Sequence, residues 1–353
     1  MIAYVFIYVL AVGLIAISYL YPGSTIRNCF AIGLWGVLAI FAGFRYDVGL
    51  DYISYLDQIR DYRYAGNLSW EYAYPVFLSI NNSIGLTDQG LFLAMAMITA
   101  LFFYKYLSFH SRRPLMATLF FITLPPLFLS TLNVSRQFVA VSIFAFALRY
   151  IVKQSFILYF FFIALAFCFH KSAILALPLY FFLNRAPSLK LYVILSGLYL
   201  LALPLLQYFV GITGASDIYF ALIDEPEVVT PKTYIFVMIF LFVVFLTERL
   251  QRIDCNVVIF INMLFLVVIL SITPAFIPIP SAIYWRTLSY FVIAAPILIV
   301  SISDVIAAPT IRAFYLMGVT LTASGYYFYT LIERGTYFNL VPYDTNLFLF
   351  DLY

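Results

Sequence analysis

The sequence has few charged residues, few cysteines and almost no histidine. Only 10% of its 353 residues are Asp, Glu, Lys or Arg, and it contains 3 cysteines and 2 histidines. So little charge excludes an ordinary soluble domain. Cys29, Cys168 and Cys255 lie in or beside apolar runs without CxxC spacing, so neither a disulfide framework nor a zinc site is indicated. The formal net charge of +3 is small, and the basic residues are scattered between loops. Both features argue against a nucleic-acid-binding surface.

Long apolar runs recur along the whole chain. Hydrophobic residues make up 65% of the sequence and aromatic residues 20%, and the mean hydropathy is +1.02. An α-helix needs about 20 apolar residues to cross a bilayer, and the alternation typical of membrane β-strands is absent. We therefore expect an all-α polytopic membrane protein with about 12 transmembrane helices. The predicted spans lie near residues 2–20, 29–44, 87–107, 115–131, 137–152, 155–169, 172–184, 190–211, 233–247, 256–273, 287–303 and 310–331.

The charges between these runs predict how the chain is oriented. One set of alternate loops contains most of the Lys and Arg residues but only three acidic residues, Glu248, Asp254 and Asp304. By the positive-inside rule that set is cytoplasmic, which places both termini on the outer side. The run 2–20 has no preceding Lys or Arg and no small-residue cleavage site, so we expect it to remain as a membrane helix.

The outward polar residues are concentrated in three segments. No polar stretch is long enough for a separate soluble domain and no internal repeat is evident, so we expect one membrane domain, 1–353. Its outward segments are 45–86, 212–232 and 333–353. Residues 71–86 are too polar and too short for a comfortable crossing and predict an interfacial or re-entrant helix. We expect the functional site on the outer face.

Three arginines stand where an outward loop meets a helix. Arg45, Arg136 and Arg286 come from distant parts of the chain, and such a set can converge on one pocket. The planar guanidinium group suits a phosphate or pyrophosphate. Arg136 opens a helix, where the helix dipole adds to the attraction for an anion. The alternative is that each arginine anchors its helix in the headgroup layer.

The two histidines have different surroundings. His170 follows the apolar run 160–169, and its neutral imidazole is a candidate general base near pH 7. The alternative for His170 is a helix-end histidine that satisfies a backbone carbonyl. His110 lies in a cytoplasmic Ser-Arg-Arg turn, and we expect it to be a solvated loop residue.

Asp47 and Asp51 are four residues apart, a spacing that on a helix puts both carboxylates on one face. Asp51 is followed by Tyr52 and Tyr55, and carboxylates beside tyrosines suit the hydroxyl groups and faces of a sugar. Two carboxylates without a third evident ligand are a weak indication of a divalent cation. The remaining alternative is that both carboxylates pair with neighbouring arginines.

Five blocks of the sequence resemble one family of proteins. The blocks are Arg45-Tyr46-Asp47-Val48-Gly49-Leu50-Asp51-Tyr52-Ile53-Ser54-Tyr55, Glu71 before an aromatic run, Ser135-Arg136-Gln137, Phe169-His170-Lys171-Ser172 and Val341-Pro342-Tyr343. In order and approximate spacing they resemble the EpsG-like branch of the Wzy-type polysaccharide polymerases. The resemblance covers nearly the whole chain.

The resemblance implies a bacterial inner-membrane enzyme that makes O-antigen or a related surface glycan. Such an enzyme joins repeat units on the periplasmic side, with undecaprenyl-pyrophosphate-linked oligosaccharides as donor and acceptor. Members look like GT-C-type glycosyltransferases and generally need no nucleotide sugar; the related ligases need no metal. We therefore expect no cofactor and no metal. The implied partners are a flippase, a chain-length regulator and the membrane lipid.

A mechanism follows from these residues. We expect His170, ahead of Asp47, Asp51 or Glu71, to deprotonate the acceptor hydroxyl, and Arg136 to stabilise the leaving pyrophosphate. Direct displacement inverts the anomeric centre. Substrate binding is assigned to other residues of the matching blocks and to the third arginine, namely Arg45, Asp47, Asp51, Tyr52, Tyr55, Glu71, Gln137, Lys171, Arg286 and Tyr343.

Two other functions fit the same composition. A transporter or flippase for lipid-linked oligosaccharides also needs many spans and arginines, but the lack of a repeat and the polar residues crowded on one face argue against it. An O-antigen ligase, which transfers finished glycan to a lipid core, is hardly distinguished from a polymerase by sequence.

Overall fold

The computed structural model describes the chain except for residues 22, 66–72, 213–230, 276–280 and 350–353. Helices make up 80% of it, because in lipid each backbone N–H must find its acceptor within the segment. The α-helices are, in chain order, α1 (Ile2–Leu20), α2 (Ser24–Gly43), α3 (Tyr52–Ala65), α4 (Ala73–Ser83), α5 (Asp88–His110), α6 (Pro114–Thr123), α7 (Phe128–Asn133), α8 (Ser135–Val152), α9 (Phe156–Phe169), α10 (Leu189–Ile212), α11 (Pro231–Phe245), α12 (Thr247–Ile253), α13 (Val257–Ile272), α14 (Ser281–Val292), α15 (Ala294–Val305) and α16 (Pro309–Arg334).

Among the residues that the structure describes, four helical segments are long and apolar enough to cross a membrane. They are Thr25–Gly43, Asp88–His110, Ser135–Val152 and Ile283–Val305, the last of which joins α14 to α15. Shorter apolar helices lie at Ile2–Ser18, Pro114–Thr123, Phe156–Phe169, Lys171–Phe181, Leu189–Leu201, Ile235–Phe245 and Val257–Ile272. The chain is therefore an all-α, multi-pass membrane protein, and each predicted span overlaps one of its helices.

Prolines alter two of the predicted spans. The run 115–131 is divided into α6 and α7 by a turn that contains Pro125 and Pro126, because proline offers no N–H and disfavours helix at the residue before it. The run 172–184 forms a 3-10 helix, Lys171–Phe181, with Pro178 inside.

Helix α4 occupies most of the segment predicted to be interfacial or re-entrant. It has 11 residues, which is about 16 Å of helix and too short to cross about 30 Å of hydrocarbon. Its buried residues are Tyr74, Leu78 and Asn81. Through them α4 packs against α5 and α9, at the end of the bundle where the first loop also lies.

The core is built around α5 and α8. Helix α5 packs against α2 and α8, and α8 also packs against α9. Phe138, Ala140 and Phe144 of α8 are buried, and small residues among large ones let helices approach closely in lipid. Phe103 of α5 contacts the rings of Phe121 and Phe138, so aromatic side chains fill the space between these helices.

The loops meet at two ends of the bundle. At one end, called here the site end, strand β1 (Arg45–Tyr46) pairs antiparallel with β2 (Asp344–Thr345). At the far end, Arg113 and Asp304 form a salt bridge of 2.9 Å. Helix α5 has 23 residues and spans about 35 Å between the two ends. Loops predicted to lie on the same side of the membrane thus contact one another.

His110 at the far end is buried, so the expectation of a solvated loop residue is wrong. It is 7% exposed and packs against the rings of Tyr106, Phe109 and Phe260. Helix α5 continues three residues beyond the predicted end of its span, and this extra turn carries His110 into the packing.

Candidate functional site

Arg45 lies inside the bundle and not on its surface. It is 1% exposed, and its guanidinium group donates hydrogen bonds to the carbonyls of Ala42 and Val48 and to Oγ of Ser135. Its Cζ lies 4.7 Å from the centre of the Phe92 ring. Arg45 therefore ties the first loop to α8, and the prediction that it binds a pyrophosphate is not supported by its position.

Asp47 and Asp51 do not share a helix face, so that expectation is wrong. Asp47 has φ +48 and is exposed, and its Oδ1 accepts a hydrogen bond of 3.3 Å from Nδ2 of Asn339. Asp51 is half-buried in the turn that precedes α3. Within the described part of the chain, the Asp51 carboxylate has no hydrogen bond or salt bridge.

Arg136 is held at the start of α8 by two tyrosines. Its Cζ lies 5.0 Å from the ring centre of Tyr55 and 4.8 Å from that of Tyr74. Its backbone N–H approaches Oη of Tyr55 at 3.5 Å. Rings on which a guanidinium stacks fix the plane of the group. Tyr55 was predicted in the site; Tyr74 of α4 was not, because its role depends on a tertiary contact.

Arg286 is brought next to α8 by Gln137. Nε2 of Gln137 donates to the backbone carbonyl of Arg286 over 2.7 Å and to Oγ of Ser289 over 2.6 Å. Gln137 is 2% exposed, and within the described residues its Oε1 has no hydrogen-bond partner. Its amide group joins α8 to α14 and thus sets the position of Arg286.

His170 lies in the connection between α9 and the 3-10 helix, where Ser172 fixes its ring. The backbone N–H of Ser172 donates to Nδ1 of His170 over 3.3 Å, and Oγ of Ser172 lies 2.6 Å from the same nitrogen. Oγ of Ser172 also lies 3.0 Å from Oη of Tyr290. A backbone N–H can only donate, so Nδ1 is the acceptor and the proton of the neutral ring lies on Nε2.

Electrostatic contacts join four of these residues into one group, called here the charged cluster: Asp51, Arg136, Arg286 and His170. Burial raises the pKa of Asp51 above its ordinary value, and Arg286 and Arg136 act in the opposite direction. Burial lowers the pKa of His170 well below its ordinary value, and the same two arginines add to the effect. At neutral pH the cluster thus presents a neutral imidazole beside two cations and one carboxyl group.

Four further residues that the sequence assigned to the site are Tyr52, Tyr343, Lys171 and Glu71. Tyr52 is buried and stacks on Phe92, with ring centres 4.7 Å apart. Tyr343 stacks on Phe41, with ring centres 4.1 Å apart, and donates its hydroxyl to the Phe41 carbonyl, which anchors the C-terminal segment to α2. Lys171 is half-buried next to His170, and Glu71 lies outside the described residues.

The donors of the cluster suit an anion better than a metal ion. Among the residues that the structure describes, no group of three or more His, Cys, Asp or Glu side chains is placed to hold a metal. Two guanidinium groups and an imidazole N–H are donors for phosphate oxygens, and a carboxylate whose pKa is raised is a stronger base than one in water. The fold and this cluster define a multi-pass membrane protein in which two arginines, a histidine and an aspartate come together at one end of the bundle.

Comparison with known families gives the particular family. The model of the EpsG family matches residues 28–345, which is nearly the whole chain and includes all four residues of the charged cluster. The chain belongs to the EpsG family, whose members are Wzy-type polymerases, and its role is in polysaccharide biosynthesis. No curated protein and no solved structure shows significant similarity to it.

Proposed function

We propose that this protein joins lipid-linked oligosaccharide repeat units into a polysaccharide. The donor is a glycan chain on undecaprenyl pyrophosphate, and the acceptor is the terminal sugar of a new lipid-linked unit. The single observation that supports this most is the meeting of two arginines, Asp51 and His170 at one end of a membrane bundle. Membership of the EpsG family supports the class of reaction.

The site end faces the periplasm of a bacterial cell in this proposal. About twelve crossings of the inner membrane place both termini and the charged cluster on that side. Arg112, Arg113 and Arg149 lie at the far end, and the positive-inside rule assigns such an end to the cytoplasm. A scaffold of this kind resembles the GT-C-type glycosyltransferases.

Arg136 and Arg286 bind the pyrophosphate of the donor. Arg136 lies in the first turn of α8, where the helix dipole attracts an anion. The planar guanidinium lies close to the rings of Tyr55 and Tyr74, and such a group can offer two parallel N–H groups to phosphate oxygens. The same two charges stabilise the pyrophosphate as its bond to the sugar breaks.

Asp51 is the general base, in place of the His170 that the sequence favoured. The acceptor hydroxyl gives its proton to the Asp51 carboxylate while its oxygen attacks the anomeric carbon of the donor. The bond between that carbon and the pyrophosphate oxygen breaks, and the pyrophosphate leaves with the electron pair. Burial raises the pKa of Asp51 and so makes its carboxylate a stronger base. Attack opposite the leaving group inverts the anomeric centre.

His170 assists as a hydrogen-bond donor. Because its Nδ1 accepts from Ser172, the ring offers a proton from Nε2 to a phosphate oxygen of the leaving group. This neutral donor adds to the two cations without introducing a further charge.

The proposal is tested by incubating the purified protein in detergent with a synthetic lipid-linked repeat unit and no nucleotide sugar. We expect a ladder of longer lipid-linked products on a gel and inversion of the new linkage by NMR. A second set of reactions contains a lipid-core acceptor, and a third uses vesicles loaded with fluorescent lipid-linked unit. Transfer only to the lipid core would indicate a ligase, and movement of the lipid across the vesicle without a ladder would indicate a flippase. Either result would contradict the polymerase.

A further inference from the structure

Two asparagines from distant parts of the chain hold the loop that carries Asp51. Oδ1 of Asn133, at the end of α7, accepts the backbone N–H of Leu50 over 2.8 Å. The backbone carbonyl of Asn339, which follows α16, accepts the N–H of Gly49 over 2.7 Å. Nδ2 of Asn339 donates to the Asp47 carbonyl over 2.9 Å. Residues 47–50 are therefore held from both sides.

The backbone of this loop needs such support because it is not a relaxed turn. Asp47 has φ +48 and Asn339 has φ +50, both in the left-handed region, which among non-glycine residues is adopted mainly by Asn and Asp. Gly49 has φ +98, and a Cβ atom there would lie 2.2 Å from the carbonyl oxygen of Leu132. The loop thus lies directly against the end of α7.

This arrangement connects the two sides of the charged cluster. Asp51 directly follows Leu50, and Arg136 comes three residues after Asn133. A hydrogen bond between Leu50 and Asn133 therefore fixes the start of α3 against the start of α8. We propose that Asn133 and Asn339 are positioning residues that set the place of the Asp51 carboxylate relative to the Arg136 guanidinium. The inference rests on the proposed function, because it gives Asp51 its catalytic part.

The directions of the hydrogen bonds determine which substitutions are tolerated. The N–H of Leu50 can only donate, so Asn133 must present oxygen; the Asp47 carbonyl can only accept, so Asn339 must present nitrogen. Asn133→Asp keeps its acceptor. Asn339→Asp loses its donor and brings a carboxylate oxygen against a carbonyl oxygen. The same chemical change is thus expected to have opposite outcomes at the two positions.

The test compares Asn133→Ala, Asn133→Asp, Asn339→Ala and Asn339→Asp in the ladder assay with the lipid-linked repeat unit. We expect Asn133→Asp to keep at least about a third of the wild-type kcat, and the other three variants to lose about 10- to 100-fold, the scale expected for a misplaced catalytic group. Asn346→Ala is the matched control, because its side chain accepts from Phe348 in the same C-terminal segment and does not touch the loop.

A pH profile separates positioning from general damage to the fold. A loosened loop exposes the Asp51 carboxyl to water, and because burial is the main cause of its raised pKa, the acid limb of the kcat profile moves to lower pH. We expect this shift in the three impaired variants and not in Asn133→Asp. A loss of rate with an unmoved acid limb in folded protein would overturn the inference.

Hydrogen–deuterium exchange gives a readout that needs no reaction. Peptides that contain Gly49 and Leu50 are expected to exchange faster in Asn133→Ala and in both Asn339 variants, and at the wild-type rate in Asn133→Asp. Equal exchange in Asn133→Ala and Asn133→Asp, or wild-type behaviour of Asn339→Asp, would overturn the inference. Wild-type protein that forms no ladder would instead contradict the proposed function, and the exchange pattern would still decide whether the two asparagines hold the loop.

Discussion

The backbone N–H of Ser172 donates to Nδ1 of His170, and this one contact decides what the histidine can do. A general base needs a lone pair on the nitrogen that faces the substrate. With Nδ1 already accepting, the neutral ring carries its proton on Nε2, so the nitrogen remote from Ser172 is a donor. This contact is the reason that the proposed function gives His170 the role of a donor and gives a carboxylate the role of the base.

His170→Gln is expected to keep about a tenth of the elongation rate, whereas His170→Ala loses about 100- to 1,000-fold. The glutamine amide places an N–H donor near the position of Nε2 but cannot serve as a base at neutral pH. Initial rates of ladder formation measure both variants. If glutamine proves as inactive as alanine while both proteins unfold at the wild-type temperature, His170 is not a simple donor.

Asp51→Asn is expected to abolish elongation, because the amide cannot take up the acceptor proton, a loss of about 100- to 10,000-fold. In the wild-type protein the raised pKa of Asp51 makes the rate fall as the pH decreases through it, since the protonated carboxyl is not a base. Asp344→Asn, at an exposed carboxyl of the same end, is the matched control and should retain full activity.

Asp51→Asn is also expected to stabilise the fold. The pKa of Asp51 is higher in the folded than in the unfolded chain, so its ionisation costs stability once the pH rises above the unfolded value. Asp51→Asn removes this cost and should raise the unfolding temperature in detergent at pH 7.5 by about 1 to 3 °C. At low pH the Asp51 carboxyl is as neutral as an asparagine amide, so the difference in unfolding temperature between variant and wild type should vanish. A constant difference across the pH range would point to another cause.

Arg136→Lys is expected to lose about 100-fold in elongation rate although the charge is kept. An ammonium group has no planar face to lie against the rings of Tyr55 and Tyr74, and it cannot offer two parallel N–H groups to a phosphate. The unfolding temperature should stay unchanged. Arg334→Lys, at an exposed arginine in the last turn of α16, serves as control, and activity of Arg136→Lys equal to that control would remove Arg136 from the pyrophosphate site.

Arg45→Met is expected to destabilise the fold, whereas Arg136→Lys is expected to leave its stability unchanged. The change leaves the Ala42 and Val48 carbonyls without their donor inside the bundle, and a buried acceptor that loses its donor costs about 1 to 3 kcal/mol. Thermal unfolding in detergent measures the loss against Arg249→Met, which is exposed. A variant that unfolds at the wild-type temperature but no longer elongates would restore Arg45 to the substrate site.

The helices could be predicted from the sequence because hydropathy is a local property. Each apolar run overlaps a helix, and most ends differ by a few residues. The run 115–131 was predicted as one span because it is apolar on both sides of Pro125 and Pro126, yet the structure divides it into α6 and α7. The chain after Phe169 offered no local signal that its next helix would be a 3-10 helix.

The candidate site could be predicted only in part, for a physical reason. Charge is costly at a membrane boundary, so Arg136, Arg286 and Arg45 all stood out in the sequence. The three arginines differ in the acceptors of their hydrogen bonds. Two acceptors of Arg45 are backbone carbonyls, and the sequence does not show which carbonyl a side chain reaches. Asn339 and Tyr74 make their contacts with distant segments, and their residue types are too common in loops and helix ends to stand out in the sequence.

The pairing of β1 with β2 has a consequence for how the protein is made. Residues 339–345 are synthesised after all the helices described here. During insertion into the membrane, the loop that bears Asp51 therefore forms its hydrogen bonds with Asn339 last. Until Asn339 is in place, only the hydrogen bond from Leu50 to Asn133 holds residues 47–50 against α7. The segment after α16 thus completes the support of this loop after the helices have been synthesised.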